Sequence, residues 1–355
     1  MPCTVVVGGQ YGAEGKGKVV ALAANLHREP WVVRCGGPNS GHTIRVDDRD
    51  VVLRQVPAGA IHPAATLLMA AGCVIDPDLL VAEADALGVS RERLVVDPRA
   101  AVVSEADREA ELASVGRIGS TGSGTGAALV RRMQRGASSL LAGQCQKLSD
   151  RVRIETVAPL LHHHLDRGGF LIVEGTQGFG LSLLHGPHYP FVTARDTTAS
   201  GFAAEVGLSP RQIDCIILVV RTFPIRVGGN SGPLSQEISW DTVMRLSAAP
   251  SVVPELTSVT RRPRRVALFN VDFVKTACRY NRPTSMAVMG MDRLDYANHA
   301  IPSAEDLTPR GRAFLTELRS ATGVPIEWIG TGYGTSEALR LSPAQIETYD
   351  LSNSR

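Results

Sequence analysis

The stretch that most limits how this chain can fold is its beginning. Cys3-Thr4-Val5-Val6-Val7 is an unbroken small and β-branched run that stops in Gly8-Gly9-Gln10-Tyr11-Gly12-Ala13-Glu14-Gly15-Lys16-Gly17-Lys18. An apolar run without polar alternation suits a strand covered on both faces, the situation of a parallel sheet. The glycines permit a tight turn, and the spacing predicts a helix over residues 17–27. Backbone N–H groups bared by glycine, a helix N-terminus and nearby lysines together make an anion cradle. The turn departs from the standard phosphate-loop pattern, because Gly-Lys is followed by Gly-Lys and not by Ser or Thr. A glycine-rich turn with solvated lysines is the plainer alternative.

The same grammar continues along the chain. Further strands are expected at 31–35, 51–54, 67–70, 94–96, 170–173, 213–220 and 285–289. Helices are expected at 77–87, 154–167, 271–280 and 309–321. Apolar strands interleaved with helices imply an α/β fold, with a mainly parallel central sheet and helices on both faces. No repeat or linker divides the chain, so residues 1–355 are read as one domain. Hydrophobic residues make up 44% and charged residues 20%, enough for a large core. A net charge of +2 excludes a broadly basic nucleic-acid binder. Six cysteines (Cys3, Cys35, Cys73, Cys145, Cys215, Cys278) contain no C-x-x-C pair and read as small buried thiols in a reducing compartment. No apolar run is long enough for a membrane helix and no signal-peptide pattern opens the chain, so no membrane contact is expected and the location is read as cytoplasmic.

Other loops carry anion-binding chemistry. Asn39-Ser40-Gly41-His42-Thr43 follows the second expected strand, where α/β sheets place ligands. A lone histidine is more often structural, but here Ser40, His42 and Thr43 all suit a phosphate. Gly119-Ser120-Thr121-Gly122-Ser123-Gly124-Thr125-Gly126 offers small donors ahead of Arg131, Arg132 and Arg135; linker-like composition is its plain alternative. Glu174-Gly175-Thr176-Gln177-Gly178 ends another strand. Thr260-Arg261-Arg262-Pro263-Arg264-Arg265 presents guanidinium forks suited to carboxylates, or else a solvated basic loop. His162-His163-His164 lies on a helix whose successive residues diverge, so it reads as a polar face. Glu83, Asp85 and the acidic group at 105–111 read as exposed helix charges.

In this order, and along nearly the whole chain, these loops resemble the adenylosuccinate synthetase family. The matching pieces are GAEGKGK (12–18), NSGHT (39–43), IGSTGSGTG (118–126), EGTQG (174–178), HYPFVTARDTT (188–198), RVG (226–228), VTRRPRR (259–265), Met291-Asp292 and Thr331-Gly332. The resemblance implies a phosphate-loop-like fold and a ligase. A nucleoside triphosphate phosphorylates O6 of a purine monophosphate, and the amine of L-aspartate then displaces phosphate at C6. It implies catalytic roles for His42, Lys16 and Gln177. Nucleotide-binding roles fall to Gly12, Ala13, Glu14, Gly15, Lys16, Gly17, Gly41, His42, Thr43, Asp292, Gly332 and Tyr333, with Mg2+ on the Gly41 carbonyl. The purine monophosphate falls to Ala13, Asn39, Ser40, Thr121, Gly122, Arg135, Gln177, Thr193, Val227 and Gly228. Aspartate falls to Val259, Thr260, Arg262 and Arg264. Because the family's equivalent of Arg135 comes from a partner subunit, a homodimer is implied.

The departures point to a particular branch. The family's loop reads Gly-Asp-Glu-Gly-Lys-Gly-Lys, and its aspartate takes the N1 proton of IMP and ligates Mg2+; this chain has Ala13. A guanine base carries a 2-amino group that would crowd a carboxylate there. Phage-encoded 2-aminoadenylosuccinate synthetases lack the aspartate and act on dGMP, and this sequence resembles them. The implied product is 2-amino-2′-deoxy-N6-succinyladenylate; an IMP-using enzyme and an inactive nucleotide-binding relative are the alternatives. Where the family selects GTP through Thr-Lys-Leu-Asp, this chain has Met289-Gly290-Met291-Asp292, and Tyr333 replaces a proline. ATP or dATP is therefore the expected donor, with GTP as the alternative. Val259-Thr260-Arg261 also replaces Thr-Thr-Gly.

Overall fold

A computed structural model of the 355-residue chain describes residues 3–46, 49–136, 140–251, 254–257 and 262–348. The centre is a ten-stranded sheet. In spatial order its strands are Ala338–Arg340, Ile326–Gly330, Ser285–Met289, Cys215–Arg221, Cys3–Gly8, Leu171–Glu174, Trp31–Arg34, Thr66–Met69, Leu94–Val96 and Arg153–Ile154. All pairings are parallel except that of the edge strand Ala338–Arg340. The mainly parallel α/β reading therefore holds.

Strand alternation divides the core into two layers. Val5 and Val7 face one layer with Leu161, Phe202, Val274 and Leu315 from helices Val157–Asp166, Ala199–Val206, Val271–Asn281 and Pro309–Thr322. Val6 faces the other, with Val19, Val20 and Leu80 from helices Lys16–Ala24 and Pro77–Ala86. Successive side chains on a strand point to opposite faces, so one apolar run serves both layers.

Several expectations need correction. Residues 51–54 join no parallel sheet; Arg49–Leu53 pairs antiparallel with His42–Val46 as a hairpin. The helix expected from 154 starts at Val157, because Arg153–Ile154 forms the outermost strand. The acidic group at 105–111 does lie on a helix, Glu105–Ile118, and Arg131 and Arg132 on the next, Thr125–Gln134; strand Ile326–Gly330 is unexpected. The acidic group at 105–111 is not uniformly exposed: Asp107 and Glu111 are buried. Glu83 is not a free surface charge either, since its carboxylate accepts the N–H groups of Arg54, Gln55 and Val56. Cys215 is exposed, unlike the buried Cys3, Cys35, Cys73 and Cys278. His162 and His164 bond the carbonyls of Gly207 and Phe170, and His164 also stacks on Trp31. Among the described residues no helix is long and apolar enough to cross a membrane.

Candidate active site

The first strand lies between Leu171–Glu174 and Cys215–Arg221, and later strands extend the sheet on both sides. Loops leaving the C-terminal ends of these strands converge there, the usual ligand position of an open α/β sheet. They enclose a cavity of about 780 Å3.

The loop after the first strand winds through left-handed backbone at Gly12, Ala13 and Gly15, with φ of 88°, 54° and 104°. Its interior holds a carboxylate. Glu14 accepts the N–H groups of Gln10 at 3.1 Å and Gly12 at 2.8 Å, and pairs with Lys16 at 2.5 Å. A Cβ on Gly8 would stand 2.6 Å from this carboxylate, so glycine is required there. From behind, Arg221 donates to the Ala13 carbonyl at 3.1 Å and grips Glu255 with both terminal nitrogens. Burial opposes ionisation of Glu255, but Arg221, Arg264 and Arg293 outweigh it and bring its pKa down to about 2. The Ala13 methyl borders the cavity and also packs against the Phe223–Ile225–Val243–Val266 cluster.

His42 stands opposite, at the foot of the hairpin. Its Nδ1 lies 2.6 Å from Glu174, whose same oxygen takes Arg34 at 2.6 Å; the other oxygen accepts the Ala58 N–H at 2.6 Å. Arg34 and Glu174 are register partners at the ends of adjacent strands, and both are fully buried. Burial opposes the charge on Glu174, but Arg34, His42 and the Ala58 N–H together keep its pKa below the usual value. For His42, burial and then the Arg34 and Lys16 charges outweigh Glu174 and lower its pKa to about 4. The carboxylate fixes the proton on Nδ1. Nε2 is buried and has no partner among the described residues. Gly17 presents a bare Cα to the ring, where a Cβ would come within 2.7 Å of the His42 Cβ.

The substrate-facing walls come from other loops. Gln177, also left-handed at φ 61°, donates to Thr193 Oγ1 at 2.8 Å, and Asn39 approaches the same oxygen at 3.5 Å. Ser40 is buried and bonds the Gly37 carbonyl. Thr121 donates to Ser123 at 3.0 Å. The N-terminus of helix Thr125–Gln134 is already filled, since Glu111 accepts the N–H groups of Gly124, Gly126 and Ala127. That loop can therefore meet a phosphate only through its earlier residues and hydroxyls. Thr257, Arg262 and Arg264 line the remaining wall on a short antiparallel pairing that includes the Leu256–Pro263 bridge.

The cavity thus gathers Gly12, Ala13, Lys16, Asn39, Ser40, Gly41, His42, Thr121, Gln177, Thr193, Val227, Arg262 and Arg264. Thr43, Gly122, Gly228, Asp292, Gly332 and Tyr333 lie in neighbouring segments outside its lining. Arg135 ends its helix in the left-handed region, exposed and outside the cavity lining, although its neighbour Gln134 belongs to that lining. Val259 and Thr260 fall outside the described residues. Sequence reasoning passed over Arg34, Glu174, Glu111, Arg221 and Glu255 as functional groups. A signal existed for Arg34, Glu174 and Arg221, since each is a charge ending an apolar strand.

A phosphate-loop α/β fold with a histidine and an arginine wall around one cavity defines a nucleotide-dependent enzyme. A family model for adenylosuccinate synthetase matches residues 5–142 and 137–300. Adenylosuccinate synthetase of Methanocaldococcus jannaschii is 36% identical over 361 residues, covering 99% of this chain and 98% of the relative. The Pyrococcus horikoshii enzyme is 36% identical over 339 residues, covering 94% and 96%. This chain belongs to the adenylosuccinate synthetase family. The fold also matches the fully ligated Plasmodium falciparum adenylosuccinate synthetase, with a TM-score of 0.86, 18% identity and coverage of 96% and 99%. It matches cyanophage S-2L succinoaminodeoxyadenylate synthetase, bound to dGMP and dATP as an energy donor, with a TM-score of 0.81, 28% identity and 98% of each chain covered.

Proposed function

We propose that this chain joins L-aspartate to C6 of dGMP, using ATP or dATP and giving 2-amino-2′-deoxy-N6-succinyladenylate. Ala13 carries this reading. It borders the cavity at the turn of the phosphate loop and brings no carboxylate to the purine. The likeness to a synthetase bound to dGMP and dATP supports it.

In this reading the 6-oxygen attacks the γ-phosphorus, the bond to the ADP or dADP leaving group breaks, and the N1 proton passes to solvent. The aspartate amine then adds at C6 and phosphate leaves. Lys16 answers charge on the phosphates. The partnerless His42 Nε2 faces the transferring group, and an arriving anion favours its protonation, so that it donates there. Glu174 holds the ring in one tautomer. Gln177 meets the purine edge, while Asn39, Ser40, Thr121, Gly122, Thr193, Val227 and Gly228 seat the deoxynucleotide. Arg135 of a second copy would complete its phosphate site in a homodimer. Arg262 and Arg264, with Val259 and Thr260, take the aspartate carboxylates. Asp292, Gly332 and Tyr333 take the donor base.

Magnesium fits this donor set only in company with the triphosphate. Among the described residues no group of three His, Cys, Asp or Glu forms a cage, and Glu14 is spent within its loop. Mg2+ characteristically binds through substrate phosphates and waters, with few protein ligands, and the Gly41 carbonyl would be one. When bound it neutralises phosphate charge.

A second reading, the IMP reaction, is favoured by the 36% identity to archaeal adenylosuccinate synthetases. Phosphate release with Mg2+, ATP and L-aspartate separates the two. Release with dGMP and not IMP, with a product heavier by the succinyl unit, supports the proposal. Release with IMP alone assigns the second reading, and the absence of release with any acceptor, under ATP, dATP or GTP, sinks both in favour of an inactive relative.

A further inference from the structure

The phosphate loop carries two lysines, and only one faces the cavity. Lys16 lines it; Lys18 is not among its lining residues. Lys18 is buried on the other side of the helix, where its ammonium donates to the carbonyls of Gly332 at 3.0 Å and Glu337 at 2.9 Å. These acceptors lie more than 300 positions along the chain, in the segment that follows strand Ile326–Gly330.

That segment is tied at several points. Glu337 returns its own carboxylate to the Gly334 N–H and its carbonyl to the Thr331 N–H. Thr335 bonds the Arg45 carbonyl at 2.6 Å, on the hairpin that begins with His42. Tyr333 projects from its tip, 53% exposed, with the Arg45 guanidinium 5.7 Å from its ring. Strand Ile326–Gly330 runs parallel to its sheet neighbour Ser285–Met289, so Tyr333 and Asp292 emerge at the same edge of the sheet as the phosphate loop. The Tyr333 hydroxyl bonds Asp50 at 3.4 Å, and its exposed ring shares the sheet edge with the largely shielded Asp292 carboxylate and the phosphate cradle, a combination suited to a nucleobase.

We propose that Lys18 is a positioning residue for the nucleoside half of the donor: it fastens the Tyr333 segment to the phosphate-loop helix and does not bind phosphate. The two lysines then divide the triphosphate, Lys16 holding its charge and Lys18 fixing the surface that meets its base. This rests on the nucleoside triphosphate being the donor, as the proposed function has it.

Equilibrium binding tests it without any dependence on the acceptor. The full chain, as wild type and as Lys18→Met, is titrated with Mg2+-ATP, Mg2+-GTP and inorganic tripolyphosphate. Losing a charged donor with two acceptors should weaken the preferred nucleotide by roughly tenfold or more. Tripolyphosphate affinity should stay within about twofold, because no phosphate contact is lost. Lys18→Arg, which keeps a charged multi-donor head, should recover most of the nucleotide affinity. A parallel loss of tripolyphosphate would make Lys18 a phosphate ligand and overturn the proposal, as would unchanged nucleotide binding. Should Lys18→Met fail to fold, shown by thermal unfolding, the same titrations on Lys18→Gln decide. If wild type binds tripolyphosphate but neither nucleotide, the donor reading falls and the proposal with it. Wild type that binds a nucleotide yet releases no phosphate with any acceptor refutes only the proposed reaction.

Discussion

The two sides of the cavity are built differently. On the side of the phosphate loop and His42, charges are paired within the protein: Glu14 with Lys16 and Glu174 with Arg34 and His42, all buried, and the partly exposed Glu255 with Arg221. On the opposite side, Thr121, Thr193 and Arg262 stand on loops and meet the cavity through side chains. The first side is fixed before ligands arrive; the second is completed by them. Preorganised charge is where catalysis gains most, whereas ligand-completed charge governs affinity. Mutations on the first side should therefore lower turnover and stability together, and those on the second should mainly raise KM.

The largest expected effect is at Glu174. Glu174→Gln keeps the volume but leaves Arg34 buried with no charged partner, a change that costs about 3–5 kcal/mol when a buried pair is broken. It also releases the His42 tautomer, so kcat should fall by roughly two orders of magnitude or more. Thermal unfolding and phosphate release measure the two effects. Native turnover in this variant would remove the contrast between the sides.

This network also shows the limit of what the sequence reveals. Strand-by-strand patterning located the sheet because each strand is a local apolar run, and the phosphate loop because its glycines and lysines are contiguous. Arg34 and Glu174 are 140 positions apart and meet only because two parallel strands share a register. Arg221 and Glu255 likewise meet only because the loop carrying Glu255 crosses the end of strand Cys215–Arg221. On the helix Glu105–Ile118 it was the burial of charge that stayed illegible: its charges form no amphipathic stripe, since Asp107 and Glu111 turn inward to bond Arg131 and the backbone of residues 124–127. Ala13 could be named from sequence, but its left-handed backbone and apolar backing could not.

The second prediction concerns pH on the preorganised side. His42 has a folded pKa of about 4 against an ordinary 6.5. The unfolded chain therefore binds more protons between these values, and stability rises with pH across that window. Acidifying from 6.5 to 4 should cost up to about 3 kcal/mol from this group. His42→Asn should flatten that part of the stability curve measured by denaturant titration. The same displacement predicts proton uptake when a triphosphate enters, visible as a buffer-dependent binding enthalpy. An enthalpy independent of buffer in the native protein would place the His42 proton elsewhere.

Arg262 tests the other side. Its side chain lines the cavity from a loop. Arg262→Ala should raise the KM for aspartate by roughly 30-fold or more, about 2 kcal/mol for a charge-assisted contact. Stability should change by less than about 0.5 kcal/mol, as for a partly exposed surface group. A fall in kcat and melting temperature matching that of Glu174→Gln would mean that both sides are equally preorganised.

Ala13 sits where the two sides meet, and its replacement should have the smallest effect and the sharpest meaning. At φ 54° the backbone is left-handed, a region aspartate tolerates better than alanine, so Ala13→Asp should fold normally. The new carboxylate has two directions open to it. Toward Phe223, Ile225 and Val266 it would be desolvated among apolar groups; toward the cavity it remains hydrated. It should therefore enter the cavity, on the side proposed to face the purine N1 and C2 edge. A 2-amino group would be crowded there, while the N1–H of IMP would gain an acceptor. We expect kcat/KM for dGMP to fall by about tenfold and that for IMP to rise, a switch of roughly 1.4 kcal/mol in each direction. Unchanged activity on dGMP would refute the steric account of Ala13. A gain on IMP without a loss on dGMP would locate the 2-amino group away from this methyl and leave proton removal at N1 as what distinguishes alanine from aspartate.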